Sequence, residues 1–345
     1  MAGGQGTIEP GDASPEDSEP EPQPRASRLW CLAFVLLALC LGGGLWLFQT
    51  LNPTHAQNGS RVLKHEDFGD VVNVRFSEGE LQVIAADGRV WLEREPGVLG
   101  PLSSLPLGDQ YFPQTSISGD YVALPAGLEL HVLDTITNRI LKIPGAGASA
   151  GASQGDLVAG SWHWQDGVSV FSAKDGVELW EDKRARGGGS PVLAFGGPLL
   201  AVGGKDSQVL VYEAKTGEVV RSLSCRGKAV YALAFSRDGS QLAFADPLGV
   251  LLWSVRDWKP APEVPCPNVT RLAFSEDGAR LAVGDSSGKL EIWDLAGARL
   301  QVFEHDDSAA LPADSVRGIA FDGGRVAWSV RDQVYVANLE GSEGH

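Results

Sequence analysis

Leu233-Ala-Phe-Ser-Arg-Asp-Gly-Ser-Gln-Leu-Ala243 and Leu272-Ala-Phe-Ser-Glu-Asp-Gly-Ala-Arg-Leu-Ala282 are one unit written twice, 39 residues apart. Each reads as a strand, a turn centred on Asp-Gly, and a second strand. Asp-Gly suits a tight hairpin because Gly accepts positive φ without penalty and Asp tolerates it. A further strand ending in tryptophan follows in both, Val250–Trp253 and Leu290–Trp293.

The same rhythm runs through the chain on either side. Val71–Phe76 with Arg89–Trp91 opens the series, and Ser116–Leu124 with Glu129–Leu133 follows. Next comes Asp156–Gly160 with Val168–Phe171, ending in Asp175-Gly-Val-Glu-Leu-Trp180. Val192–Phe195 with Val209–Tyr212 precedes the two clear units, and Val316–Phe321 with Val334–Val336 closes the run. Units of about 39 residues with four short strands each stack into a ring, so the expected fold is all-β, a seven-bladed β-propeller over 61–341. Counts of six, or an eighth degenerate unit, also fit the weaker segments. The last unit lacks a fourth strand of its own, while Arg61-Val-Leu-Lys64 is strand-like and has no unit. Pairing the two would close the ring and remove the exposed sheet edges.

Leu272–Gly284 with Ile292-Trp293-Asp294 downstream resembles a WD-repeat unit. No Gly-His pair accompanies it, and Trp-Asp occurs in this one unit. Asp175-Gly-Val-Glu-Leu-Trp180 and Lys215-Thr-Gly-Glu-Val219 are similar to the repeats of quinoprotein-like propellers. Both resemblances imply the propeller fold. Neither fixes a function, since such rings serve as scaffolds, enzymes and ligand binders alike.

Ahead of the repeats, Leu29–Phe48 is a 20-residue stretch without charge. At about 1.5 Å per residue it is long enough to cross a hydrocarbon core of about 30 Å, and Trp30 and Trp46 fall near its ends, where indoles favour the interface. The reading is a single transmembrane α-helix at 29–48, preceded by a disordered tail (1–28) rich in Pro, Glu and Ser and followed by a polar linker (49–60). The long acidic tail favours an uncleaved anchor, although Thr54-His55-Ala56 would serve as a cleavage site. Arg25 and Arg28 abut the helix start, whereas the first cations beyond it are Arg61 and Lys64. The positive-inside rule then places the tail in the cytoplasm and exports the propeller to the periplasm or exterior.

The formal net charge of −16 repels phosphate backbones and argues against nucleic acid as a partner. Six histidines lie scattered without ligand spacing, and no nucleophile elbow, phosphate loop or dinucleotide fingerprint occurs. The expectation is therefore no catalytic residue, no metal and no cofactor. Asp206, Asp246 and Asp285 sit at strand connections, where an acid either faces the central channel or stabilises a turn. Cys225 and Cys266 precede successive inner strands; they are candidates for a disulfide in an exported domain, or two free thiols. The connections of one face carry Trp162, His163 and Trp164, Tyr111 and Phe112, and Arg184 and Arg186. Exposed aromatics beside arginine are typical of interface hot spots, though these rings could equally fold over the blade. The leading functional expectation is a membrane-held, non-catalytic scaffold that binds a protein partner through this loop face. The alternatives are an enzyme or small-ligand binder using the channel, of quinoprotein-like or glycan-active type, and an envelope-assembly factor.

Overall fold

The computed structural model of the chain describes residues 60–339 apart from 65–68, 78, 87, 105–113, 118–119, 127, 138, 146–147, 163–166, 185–190, 205–206 and 305–314. The expected tail and anchor, and the linker as far as residue 59, lie outside the described residues. Among the described residues no helix is long and apolar enough to cross a membrane.

Seven antiparallel units follow one another along the chain. Blade 1 is Val71–Ser77, Glu80–Ala85, Arg89–Glu95 and Val98–Ser104. Blade 2 is Tyr121–Ala126, Glu129–Asp134 and Arg139–Pro144. Blade 3 is Ala148–Gln154, Leu157–Trp162, Val168–Ser172 and Glu178–Asp182. Blade 4 is Val192–Gly196, Leu199–Gly203, Gln208–Glu213 and Val219–Ser224. Blade 5 is Ala232–Phe235, Gln241–Asp246, Gly249–Ser254 and the short Lys259–Pro260. Blade 6 is Val269–Phe274, Arg280–Asp285, Leu290–Asp294 and Arg299–Phe303. Blade 7 is Val316–Asp322, Arg325–Val330 and Gln333–Asn338, with Arg61–Lys64 as its outer strand.

That last pairing is the expected closure: Arg61 lies opposite Val336, and Lys64 opposite Gln333, in antiparallel register. One departure from the repeat was not legible. Gln114–Ile117, which by sequence order should begin blade 2, instead runs parallel to Ala148–Gln154 and joins the blade 3 sheet. Blade 2 keeps three strands and blade 3 gains a fifth, so the expected continuous strand Ser116–Leu124 is divided.

The core is not one mass but seven buried apolar clusters, each uniting two neighbouring blades. The blade 6–7 cluster gathers Ile292, Phe303, Trp328 and Tyr335, and the blade 7–1 cluster gathers Leu63, Val74, Trp91 and Val334. Each sheet must therefore be apolar on both faces, which is why the middle strands read as nearly continuous aliphatic runs. The inner strands approach one another so closely that side chains must be small. A Cβ on Gly318 would fall 2.7 Å from Cα of Asn73 in the next blade.

The Asp-Gly turns form as the sequence predicts. Gly239 and Gly278 adopt φ of 70° and 68°. In both repeats a serine hydroxyl, Ser236 or Ser275, donates to the turn aspartate, Asp238 or Asp277, and accepts from the main chain of the strand that follows. At the rim, Trp180 reaches from blade 3 onto blade 4. Its indole N–H donates to Ala214 O at 2.8 Å, and its ring stacks on Tyr212 at 5.2 Å. The ring also covers Gly217 (φ +74°), where a Cβ would lie 2.6 Å from it.

Candidate functional site

The B–C turns and the connections between blades emerge on one face of the ring, and blade 5 presents its most exposed apolar groups there. Leu248, at the tip of the turn between Gln241–Asp246 and Gly249–Ser254, is 62% exposed, and Tyr231, at the entry to the inner strand, is 46% exposed. Monomeric surfaces tolerate single exposed leucines, so exposure alone decides little. What distinguishes this pair is the rigidity beneath it.

Asp246 is fully buried. It accepts from Leu248 N at 2.9 Å, from Arg226 N at 2.9 Å, and from the Arg226 guanidinium at 3.1 and 3.0 Å. Arg226 also pairs with Glu263 of the following connection. Pro247 packs so tightly on the 225–231 connection that a Cβ on Gly227 would meet its ring at 2.4 Å. Tyr231 N donates to Ala245 O at 2.9 Å. Three segments are thus pinned together by one carboxylate and one guanidinium, and the exposed Tyr231 and Leu248 ride on them.

Burial pushes the Asp246 carboxyl up, but hydrogen bonds from Arg226 and from the main chain outweigh it and hold the group below its ordinary value. Its stabilising contribution is therefore complete above the unfolded value of about 4 and is lost as pH falls through the lowered folded value. Replacing Arg226 with alanine should cost about 2 kcal/mol near neutrality, less than the 3–5 kcal/mol of a wholly buried pair because the arginine is partly solvated. The penalty should shrink in acid. Urea unfolding at pH 7 and at about pH 2 checks both; an equal loss at the two values would remove Asp246 as the cause.

The residues expected on this face are placed differently. Trp162 is buried, at 8% exposure, edge-on to Phe171 with ring centroids 6.3 Å apart. Its ring fills the space over Gly145, where a Cβ would fall 2.2 Å away. Trp162 is therefore a blade 2–3 packing residue and not a docking group, which corrects that part of the sequence reading. Arg184 is on the surface and grips Asp182 from Nε and Nη2 at 3.0 and 2.9 Å; Asp182 also accepts from the Tyr212 hydroxyl at 3.2 Å. Tyr111, Phe112, His163, Trp164 and Arg186 lie outside the described residues.

Cys225 and Cys266 are free thiols, so the candidate disulfide is not formed. Cys225 packs against the blade 4–5 cluster and Cys266 within the blade 5–6 cluster, leaving blade 5 between them. Their equivalent places in successive repeats are what separates them. Burial raises the Cys266 thiol to about 12, so it is un-ionised and unreactive at neutral pH. Asp246 and Asp285 both act on turns, Asp285 accepting from Ser287 N and Lys289 N; Asp206 lies outside the described residues. No cluster of three His, Cys, Asp or Glu suited to a metal occurs among the described residues.

The sequence reading missed Tyr231, Leu248 and Arg226. The available signal was Asp246-Pro-Leu-Gly249, a turn whose proline and glycine leave the leucine no inward direction.

A family model matches residues 165–341: PQQ_2, outer membrane protein assembly factor BamB. The match runs from the B–C turn of blade 3 to the end of the ring, and it falls on quinoprotein-type repeats, so the WD-repeat resemblance rests on its two units alone. No curated protein matches the sequence. Among solved structures, the crystal structure of the computationally designed Ika8 protein is similar, with a TM-score of 0.59 at 18% identity, covering 80% of this chain and 99% of that one. At that identity the likeness speaks for the fold alone.

Proposed function

The chain belongs to the PQQ_2 family, outer membrane protein assembly factor BamB, and on that footing we propose that it is a non-catalytic scaffold of envelope assembly that docks a protein partner on its loop face. Residues 29–48 hold it at a membrane, with the tail cytoplasmic and the propeller exported. The observation that carries the docking reading is the pair Tyr231 and Leu248, exposed on loops fixed by Arg226 and Asp246. A tyrosine and an aliphatic group beside an anchored guanidinium, already held in place, bind without the ordering cost that mobile loops incur.

The test is in-cell cross-linking of the tagged full chain, comparing it with Tyr231→Ser combined with Leu248→Ser. Neither side chain supports the fold, so the variant should melt within about 1 kcal/mol of the parent, as surface changes do. Recovery of the cross-linked partner should fall about tenfold or more, the loss of one hot-spot group being worth about 2 kcal/mol. Unchanged recovery would sink the loop-face assignment. Topology is tested separately: protease added to spheroplasts should digest a C-terminal tag, and its survival would reverse the orientation.

A further inference from the structure

The ring encloses an axial channel of about 920 Å³ that opens among the A–B turns, on the face opposite the docking loops. The repeat itself says what its wall requires. One residue before the inner-strand phenylalanine position, blades 3 to 7 each set an alanine opposite an alanine, as with Ala234 and Ala243 or Ala320 and Ala327. Blade 1 sets Arg75 opposite Gln82 at that register, with Arg75 Nε donating to Gln82 Oε1 at 2.7 Å. Two residues earlier, blades 4, 5 and 7 have Val192, Ala232 and Gly318, whereas blade 6 has Arg271 and blade 1 has Asn73.

These departures fall on blades 6 and 1, either side of the small inner residues of blade 7, while the facing arc of blades 4 and 5 is lined mainly by apolar side chains such as Val192, Leu193, Ala232 and Leu233. Arg75 is buried and Arg271 half-buried. Arg271 is oriented by bonds from Nε to Arg317 O and from Nη1 to Thr270 O, both 2.6 Å. At the mouth, Glu276 pairs with Arg237 at 2.7 Å, and Asp322 pairs with Arg325. Asp120, exposed, is the acid that acts on Arg75. Two guanidiniums on the axis of a chain of net charge −16 run against its overall balance. Five blades carry an alanine pair at the register of Arg75 and Gln82, so the inner strand does not itself require a guanidinium there.

We propose that the channel is a binding site for a small organic anion, its carboxylate or phosphate held by Arg75 and Arg271 and its apolar body against the wall of blades 4 and 5. Guanidiniums recognise both headgroups through paired N–H donors, and the volume suits a single small ligand. The site is independent of the loop-face reading, which can fail without it.

Calorimetric titration of the full chain with phenyl phosphate, benzoate and the uncharged benzyl alcohol tests it. At least one of the two anions should bind with unit stoichiometry and benzyl alcohol should not; which anion prevails separates the headgroups. Arg75→Ala combined with Gln82→Ala installs the alanine pair that five blades already carry, so it should fold, and it should weaken anion binding about tenfold or more. Arg271→Gln should do the same. Arg237→Gln, at the mouth, should leave affinity within about twofold. No binding of either anion at millimolar concentration overturns the proposal, as does binding undiminished in the alanine-pair variant.

Discussion

Replacing Leu63 with aspartate is expected to open the ring. Leu63 is 3% exposed, sits opposite Val334 in the closing strand, and packs in the cluster that joins blade 7 to blade 1. The substitution removes a buried aliphatic side chain and puts a carboxyl where the neighbours are Val74, Val83 and Val334, with no donor among them. Loss of the leucine costs about 2–5 kcal/mol and the stranded polar group adds about 1–3 kcal/mol, so a total of at least 4 kcal/mol is expected. Leu63→Met, which conserves volume, should stay within about 1.5 kcal/mol. Urea unfolding followed by far-ultraviolet dichroism and tryptophan fluorescence measures both. A loss below 1 kcal/mol in the aspartate variant would mean that the ring does not depend on this strand.

Trp328→Ala should be nearly as damaging for a different reason. Trp328 is fully buried at the centre of the blade 6–7 cluster, stacked on Tyr335 at 5.1 Å and tilted against Phe303 at 5.2 Å. Truncation leaves a cavity the size of an indole between two sheets that cannot collapse onto it, at about 3–5 kcal/mol. Trp328→Phe gives the sharper test. The indole N–H finds no hydrogen-bond partner among the described residues, so phenylalanine removes a buried donor along with some volume. The expected loss is about half that of alanine or less. A phenylalanine variant as unstable as the alanine one would show that the N–H is bonded after all.

Most of the ring was legible because its signal is periodic. Two units with Asp-Gly turns gave the spacing, and the orphan Arg61–Lys64 against an incomplete last unit gave the closure. The inner strand of blade 3 was not legible. Ala148-Ser-Ala-Gly-Ala-Ser-Gln154 has no β-branched residue and reads as a loop. It is a strand because the adjoining blade 2 leaves room for little else: a Cβ on Gly151 would stand 2.8 Å from Ala123 O. The transfer of Gln114–Ile117 to blade 3 was equally hidden, since its choice between two neighbouring edges is not written in its own four residues. Of the candidate site, aromatic content misled. Trp162 by its identity suits docking and packing equally, and Gly145 beneath its ring decides for packing, whereas Leu248 is marked only by its place in the turn Asp246-Pro-Leu-Gly249.

The closing strand also fixes an order in time. Among the described strands Arg61–Lys64 is the first synthesised, yet its partner, Gln333–Asn338, is the last. At about 5–20 residues per second, the early strand waits roughly 14–55 s on the ribosome for the segment that accepts it. Through that interval six blades can stack while the ring stays open, with the unpaired edges at its two ends exposed to other chains. Emergence of Gln333–Asn338, not the folding of any single blade, is the event that locks the circle, so crowding of nascent chains is where assembly of this ring is most vulnerable.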